Sequence, residues 1–224
     1  MDLIMARQLQ ILWGVSGYAG NGIANHHDEE SMKLKNSMED PVRSRLARVQ
    51  EEHAGDDSVC WCPLCRADMI ALALSTLPPR YGTNRRPELG DEHAQAVRDA
   101  VSGAVRQVKR FPKHARDGAT ASTDPVWVVN YPLEESFHVV DSLLTPEHAC
   151  DCWDCRCDMV AFALNRYPAR YGVEHGGHTH LLQEDREQMR GELASFLTIA
   201  AQLVTRIPRH ELLASPGQTA ARAS

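Results

Sequence analysis

The chain reads as an all-α protein made of two tandem copies of a small domain of three to four helices. Three observations predict this. A cysteine-headed segment occurs twice, apolar residues recur at helical spacing on either side of each copy, and almost nothing alternates as a strand would. The first segment begins Cys60-Trp61-Cys62-Pro63-Leu64-Cys65-Arg66-Ala67-Asp68-Met69 and runs on to Pro78-Pro79-Arg80-Tyr81-Gly82. The second begins Cys150-Asp151-Cys152-Trp153-Asp154-Cys155-Arg156-Cys157-Asp158-Met159 and runs on to Pro168-Ala169-Arg170-Tyr171-Gly172. Shared positions are displaced by 90 residues without a gap, and 13 of 23 aligned positions are identical. That is an internal duplication, and it divides the 224 residues into two small domains.

The elements follow in order. Residues 1–35 form a leader expected to be disordered: Leu9-Gln10-Ile11-Leu12-Trp13 is too short and too glycine-broken to be a secretory signal. The first copy spans 36–114. Asp40-Pro41 predicts an N-cap followed by proline at the first helical position, and Val42, Leu46 and Val49 then share one helix face. After the cysteines, Met69-Ile70-Ala71-Leu72-Ala73-Leu74 predicts a buried helix that stops before Pro78. Asp68 and Asp158 are expected in the first turns of these helices, facing the positive end of the dipole. A third helix carries Val97, Val101, Ala104 and Val108 and ends at Phe111-Pro112-Lys113-His114.

Residues 115–129 form a polar linker in which Val126-Trp127-Val128-Val129 is a short extended piece. The second copy, 130–213, repeats the pattern with Phe137, Val140 and Leu144. Its own cysteine helix follows, and then a helix through Met189, Leu193, Phe196, Ala200, Leu203 and Ile207. The third helices align at a displacement of 96, so six residues have entered around His175, His178 and His180. Those histidines read as a solvated turn rather than a metal site. Lys113-His114 and Arg209-His210 read as partners of helix C-termini. Residues 214–224 are a disordered tail.

Charged residues make up 24% and hydrophobic ones 43%, which are globular values, and the net charge of −6 argues against general nucleic-acid or membrane-surface binding. No apolar run is long enough to span a bilayer. Six of the seven cysteines fall in matched clusters, which suits metal binding in a reducing, cytoplasmic setting better than disulfides. Zinc takes thiolates in a tetrahedral shell. Cys62 with Cys65, and Cys152 with Cys155, have two-ligand spacing, to which Cys60 and Cys150 add a third. The fourth ligand is open: Cys157 or His148 in the second copy, His53 in the first. One zinc shared between both Cys-x-x-Cys pairs, buried free thiols, and a redox pair are the alternatives.

Arg80-Tyr81 and Arg170-Tyr171 sit just past a helix end. Arginine offers a planar fork to phosphate, and tyrosine offers an aromatic face. The plain alternative is a helix stop with each arginine on a neighbouring carboxylate. Arg66 and Arg156, beside the cysteines, are next in line for a ligand or for thiolate charge balance. No serine–histidine–aspartate order, phosphate loop or His-Glu-x-x-His motif appears, so an enzyme is not expected.

The run Cys-x-Cys-x-x-Cys-Arg-x-Asp-Met-x-Ala-x-Ala-Leu, then Pro-x-Arg-Tyr, then Pro-Lys/Arg-His, resembles the late competence development ComFB family. The opening Asn36-Ser37-Met38-Glu39-Asp40 is similar to that family's start. The resemblance covers roughly 36–114 and 130–210. It implies helical domains that bind zinc through their cysteines and pair as dimers, so the two copies here form an internal pseudo-dimer. It also implies a receptor for cyclic di-AMP or cyclic di-GMP, signalling to a regulatory protein partner, with Arg80, Tyr81, Arg170 and Tyr171 as ligand residues. The alternative is a zinc-stapled module for protein interaction in competence, motility or cell-size regulation. The chain is expected to act as a monomer, with further dimerisation open. Departures from the pattern are Ala169 where the first copy has Pro79, and Cys157 where it has Ala67.

Overall fold

The computed structural model describes residues 34–82, 90–112, 125–144, 152–176 and 181–206. The leader up to Lys33, the linker up to Asp124 and the tail lie outside them; the last two leader residues, expected to be disordered, are instead ordered, with Leu34 buried and Lys35 in a strand. So do Lys113-His114, His148, Cys150, His178, His180 and Arg209-His210. Within the described residues, each copy contributes three helices and two short strands. The first copy holds β1 (Lys35–Asn36), α1 (Glu39–Glu52), α2 (Pro63–Thr76), β2 (Tyr81–Gly82) and α3 (Asp91–Arg110). The second holds β3 (Val126–Asn130), α4 (Tyr131–Leu143), α5 (Trp153–Leu164), β4 (Tyr171–His175) and α6 (Gln183–Arg206). The all-α class holds, with two small antiparallel ribbons added to it. Asn36 pairs with Tyr81 in one, and Asn130 with Tyr171 in the other. The predicted extended piece is β3; the other three strands were not predicted.

Local chemistry explains where the helices begin and end. The cysteine helices start where a sulfur can act as a cap: Cys62 and Cys152 are the N-caps of α2 and α5, and Pro63 follows the first of them at N1. Leu77, extended because Pro78 follows, closes α2. Asp91 and Glu92 open α3, and Lys109 and Arg110 end it, both complementing its dipole.

Two expected details are corrected. The first helix starts at Glu39 with Met38 as N-cap, so Pro41 stands at the third helical position, where its missing N–H is still harmless. Asp40 instead pairs with Lys35 at 2.6 Å, and Asn36 Oδ1 accepts the Met38 N–H at 3.2 Å. Asp68 and Asp158 fall in the second turn of their helices, beyond the reach of the terminal dipole, and Asp68 is buried.

Each copy builds its own core. In the first, Val42, Leu46, Met69, Leu74, Val97 and Val101 meet. In the second, Val140, Met159, Val160, Leu164, Leu193 and Leu197 do. The cores also exchange residues. Tyr81 of the first copy is buried in the second core, and Tyr171 of the second packs against the first. A third cluster joins Ala67 and Ala71 of α2 to Val173 of β4. Buried apolar surface therefore runs through the junction, and separating the copies would expose it to water.

The second copy also carries an ion triad around one buried carboxylate. Glu135 is 0% exposed and accepts from Arg186 Nη1 at 2.8 Å and from Arg190 Nε at 2.5 Å. Pro41 stands at the place of Glu135 in the first copy, so the triad belongs to one side only. Gly172 is required on that side too, because a Cβ there would collide with the Tyr131 ring, whereas a Cβ at Gly82 would meet open space.

Candidate functional site

The first cysteine cluster is assembled. Sγ atoms of Cys60, Cys62 and Cys65 all lie within 4.8 Å of one another. The turn before α2 brings them together, since an N-cap residue and the residue three further on face the same end of a helix. The Cys65 N–H donates to Cys62 Sγ at 3.4 Å. Burial opposes ionisation of Cys62, but that N–H and the thiols of Cys60 and Cys65 outweigh it and lower its pKa. Burial, then the neighbouring sulfurs, push Cys65 strongly up. One thiolate stabilised beside reluctant thiols is a donor set that a cation would complete. Zinc–sulfur bonds of about 2.3 Å place tetrahedral ligands roughly 3.8 Å apart, so the three sulfurs fit after a small contraction. His53 is not drawn into this group; its Nδ1 lies 3.7 Å from Asp56 Oδ2.

In the second copy, the Cys155 N–H donates to Cys152 Sγ at 3.5 Å, which reproduces the first turn. Cys150 is outside the described residues. Cys157 takes the place of Ala67 and is 1% exposed within the second core, and it does not gather with Cys152 and Cys155 as the first three cysteines do. Cys65 and Cys155 belong to different cores, so the described residues form no zinc site shared between the copies. No disulfide joins any of the six described cysteines.

The Pro-x-Arg-Tyr segments meet at the junction through contacts that each copy repeats on the other. Asn36 Nδ2 donates to the Tyr171 hydroxyl at 3.0 Å. Asn130, its counterpart at the end of β3, donates to the hydroxyls of Tyr81 at 2.5 Å and Tyr171 at 2.9 Å. The backbone follows the same exchange. The Tyr81 N–H donates to Asn165 Oδ1 at 2.7 Å, and the Tyr171 N–H donates to Ser75 Oγ, the corresponding position, at 2.9 Å. One asymmetric member joins: the Tyr171 hydroxyl donates to Glu39 Oε1 at 2.9 Å, where the second copy has Leu133.

Burial governs the titration of this network. It pushes Tyr81 up to about 12, and raises Tyr171 further with the help of the Tyr81 and Glu39 charges. Burial also raises the Glu39 carboxyl. The aromatic face expected at Tyr81 is therefore not offered to solvent; the residue is 8% exposed.

The arginines beside these tyrosines have fixed backbones. The Arg80 N–H donates to Asn36 Oδ1 at 3.0 Å and its carbonyl accepts the Ser37 N–H at 2.8 Å. The Arg170 carbonyl accepts the Tyr131 N–H at 3.2 Å. Their side chains differ: Arg170 Nη2 lies 3.9 Å from Glu192 Oε2, while Arg80 is half-buried with no carboxylate partner among the described residues. Arg66 is exposed on α2, and Arg156 is paired with Asp141.

A depression of about 570 Å³ lies beside the first cysteine loop, lined by Glu51, His53, Asp56, Asp57 and Trp61 among others. Its three carboxylates would repel a phosphate. Sequence reasoning missed Asn36, Ser75, Asn130 and Asn165. Asn36 and Asn130 precede corresponding helices, which is a signal for capping, but nothing local to either shows that its partner is in the other copy. Among the described residues, no helix is long and apolar enough to cross a membrane.

A family profile described as late competence development protein ComFB matches the chain twice, over residues 35–112 and 131–208. No curated protein and no solved structure matches it.

Proposed function

The chain belongs to the late competence development ComFB family, in two tandem copies, and on that premise we propose that it is a non-enzymatic receptor for a cyclic dinucleotide, cyclic di-AMP or cyclic di-GMP, stapled by structural zinc. The observation that carries this reading is the reciprocal junction. Asn36, Asn130, Tyr81 and Tyr171 bind one another across the two copies, and each tyrosine is preceded by an arginine whose backbone the same network fixes. A ligand with two phosphates and a near-twofold shape calls for fixed guanidinium groups close to a pseudo-twofold axis, because a rigid fork loses little entropy on binding. In this reading the tyrosines position the arginines and do not stack on the bases. The zinc sites hold the start of each cysteine helix and take no part in any reaction.

The second reading is a zinc-stapled interaction module without a nucleotide ligand. The burial of Tyr81 favours it, since it leaves fewer groups to hold a base. Calorimetry separates the two. The receptor reading predicts saturable binding of one cyclic dinucleotide, lost when Arg80 and Arg170 are both changed to Ala while zinc content and helicity are kept. Titrations that show no heat with either nucleotide, on zinc-loaded protein, would rule out the receptor and leave the module.

A further inference from the structure

The arginines occupy corresponding places in the two copies, yet their surroundings differ in one consistent way. In the second copy, Arg170 Nη2 is 3.9 Å from Glu192 Oε2, and the guanidinium lies 5.6 Å from the centroid of the Tyr167 ring. Glu192 is itself held in place. The Tyr167 hydroxyl donates to its Oε2 at 2.5 Å, and Gln188 Nε2 donates to its Oε1 at 2.9 Å. Those two bonds, the tyrosine's first, keep the Glu192 carboxyl below its ordinary range, so it stays charged. Arg156 is likewise answered within its own copy, by Asp141.

Aligning the helices of one copy on the other puts Leu77 at the place of Tyr167, Ala96 at that of Glu192 and Ala47 at that of Asp141. The first copy has none of these acceptors. Among the described residues no carboxylate pairs with the guanidinium of Arg80 or of Arg66. An incoming phosphate would find a carboxylate already beside Arg170, tied by two hydrogen bonds and repelling it. At Arg80 it would find a fork whose backbone is fixed and whose charge no carboxylate among the described residues answers.

The geometry points to a one-sided receptor: Arg80 of the first copy takes the phosphate of the cyclic dinucleotide, and Arg170 is a positioning residue whose charge Glu192 already answers. This rests on the receptor reading above and goes beyond it, because the duplication alone would give two equal sites. The second copy answers its arginines with carboxylates of its own helices, Asp141 of α4 and Glu192 of α6, and keeps the junction in shape for the first.

Calorimetry on the full, zinc-loaded chain with cyclic di-AMP and cyclic di-GMP tests this through Arg80→Ala, Arg170→Ala and Glu192→Gln. One nucleotide should bind per chain. Arg80→Ala should weaken binding roughly 10- to 150-fold, the range for a hydrogen bond to a charged group. Arg170→Ala should change affinity by less than about 3-fold, as expected of an exposed ion pair. Glu192→Gln removes the charge while its oxygen can still accept from Gln188 and its NH2 can donate to the Tyr167 hydroxyl, and it should make binding sensitive to Arg170→Ala in the double variant. Arg80→Lys should recover part of the affinity at an unchanged melting temperature, which a merely structural arginine would not do. Equal losses in Arg80→Ala and Arg170→Ala, or two nucleotides per wild-type chain, would overturn the one-sided site while leaving the receptor reading intact. No binding by the wild type would remove both.

Discussion

At the scale of single residues, the molecule is governed by where it hides charge. Glu134, at the start of α4, illustrates the cost. Burial, then the nearby Glu174 charge, pushes its pKa from 4.5 up to about 7, with Arg186 opposing. A raised carboxyl pKa means that the folded state holds its proton more tightly than the unfolded one. The associated stability is therefore full below about pH 4.5 and is lost as pH rises to about 7. Glu134→Gln should flatten that slope and leave the protein about 1–2 kcal/mol more stable than wild type at pH 7.5, after allowing for solvent screening. Denaturant melts at pH 5 and 7.5 check it; parallel losses in both proteins would show that the charge is relieved elsewhere. Glu135, the next residue, shows the opposite case. Two arginines hold its two oxygens, and only removing both would strand a buried charge.

At the scale of elements, the helices were legible because their signals are local. Val97, Val101 and Val108 mark a face by spacing alone, and Pro78 ends α2 whatever surrounds it. The two-residue strands were not legible. Lys35–Asn36 pairs with Tyr81–Gly82 far along the chain, and two residues cannot show an alternating pattern. The cysteine clusters were half legible: Cys-x-Cys-x-x-Cys announces a ligand set, but only the folded turn shows Cys60, Cys62 and Cys65 gathered and Cys157 set in the core. We expect about two zinc ions per chain, one for each cysteine segment. Cys62→Ser should remove a ligand while the serine hydroxyl still caps α2, so a loss of stability in the first copy reports the metal, and the zinc found by elemental analysis should halve. Unchanged stability with unchanged helicity, in protein prepared without chelator, would mean that the thiols are packing groups.

At the scale of the whole molecule, the duplication has produced a pair whose halves have diverged. Tyr81 and Tyr171 still exchange partners across the junction, and Ser75 and Asn165 still hold the opposite strand. Around that shared frame the second copy differs by Glu135 with Arg186 and Arg190, by Glu192 beside Arg170, and by Tyr131, whose ring leaves no room for a side chain at Gly172. The exchange across the junction was not visible from either copy alone, because those contacts join residues on different repeats. On the receptor reading, one chain closed on itself forms a complete binding unit. Sedimentation of the zinc-loaded chain, titrated with cyclic di-AMP and cyclic di-GMP at fixed protein concentration, tests it most directly. One nucleotide bound per single chain, with no change in the sedimenting species, is the predicted result. Binding that appears only as chains associate, or no binding at all, would contradict it.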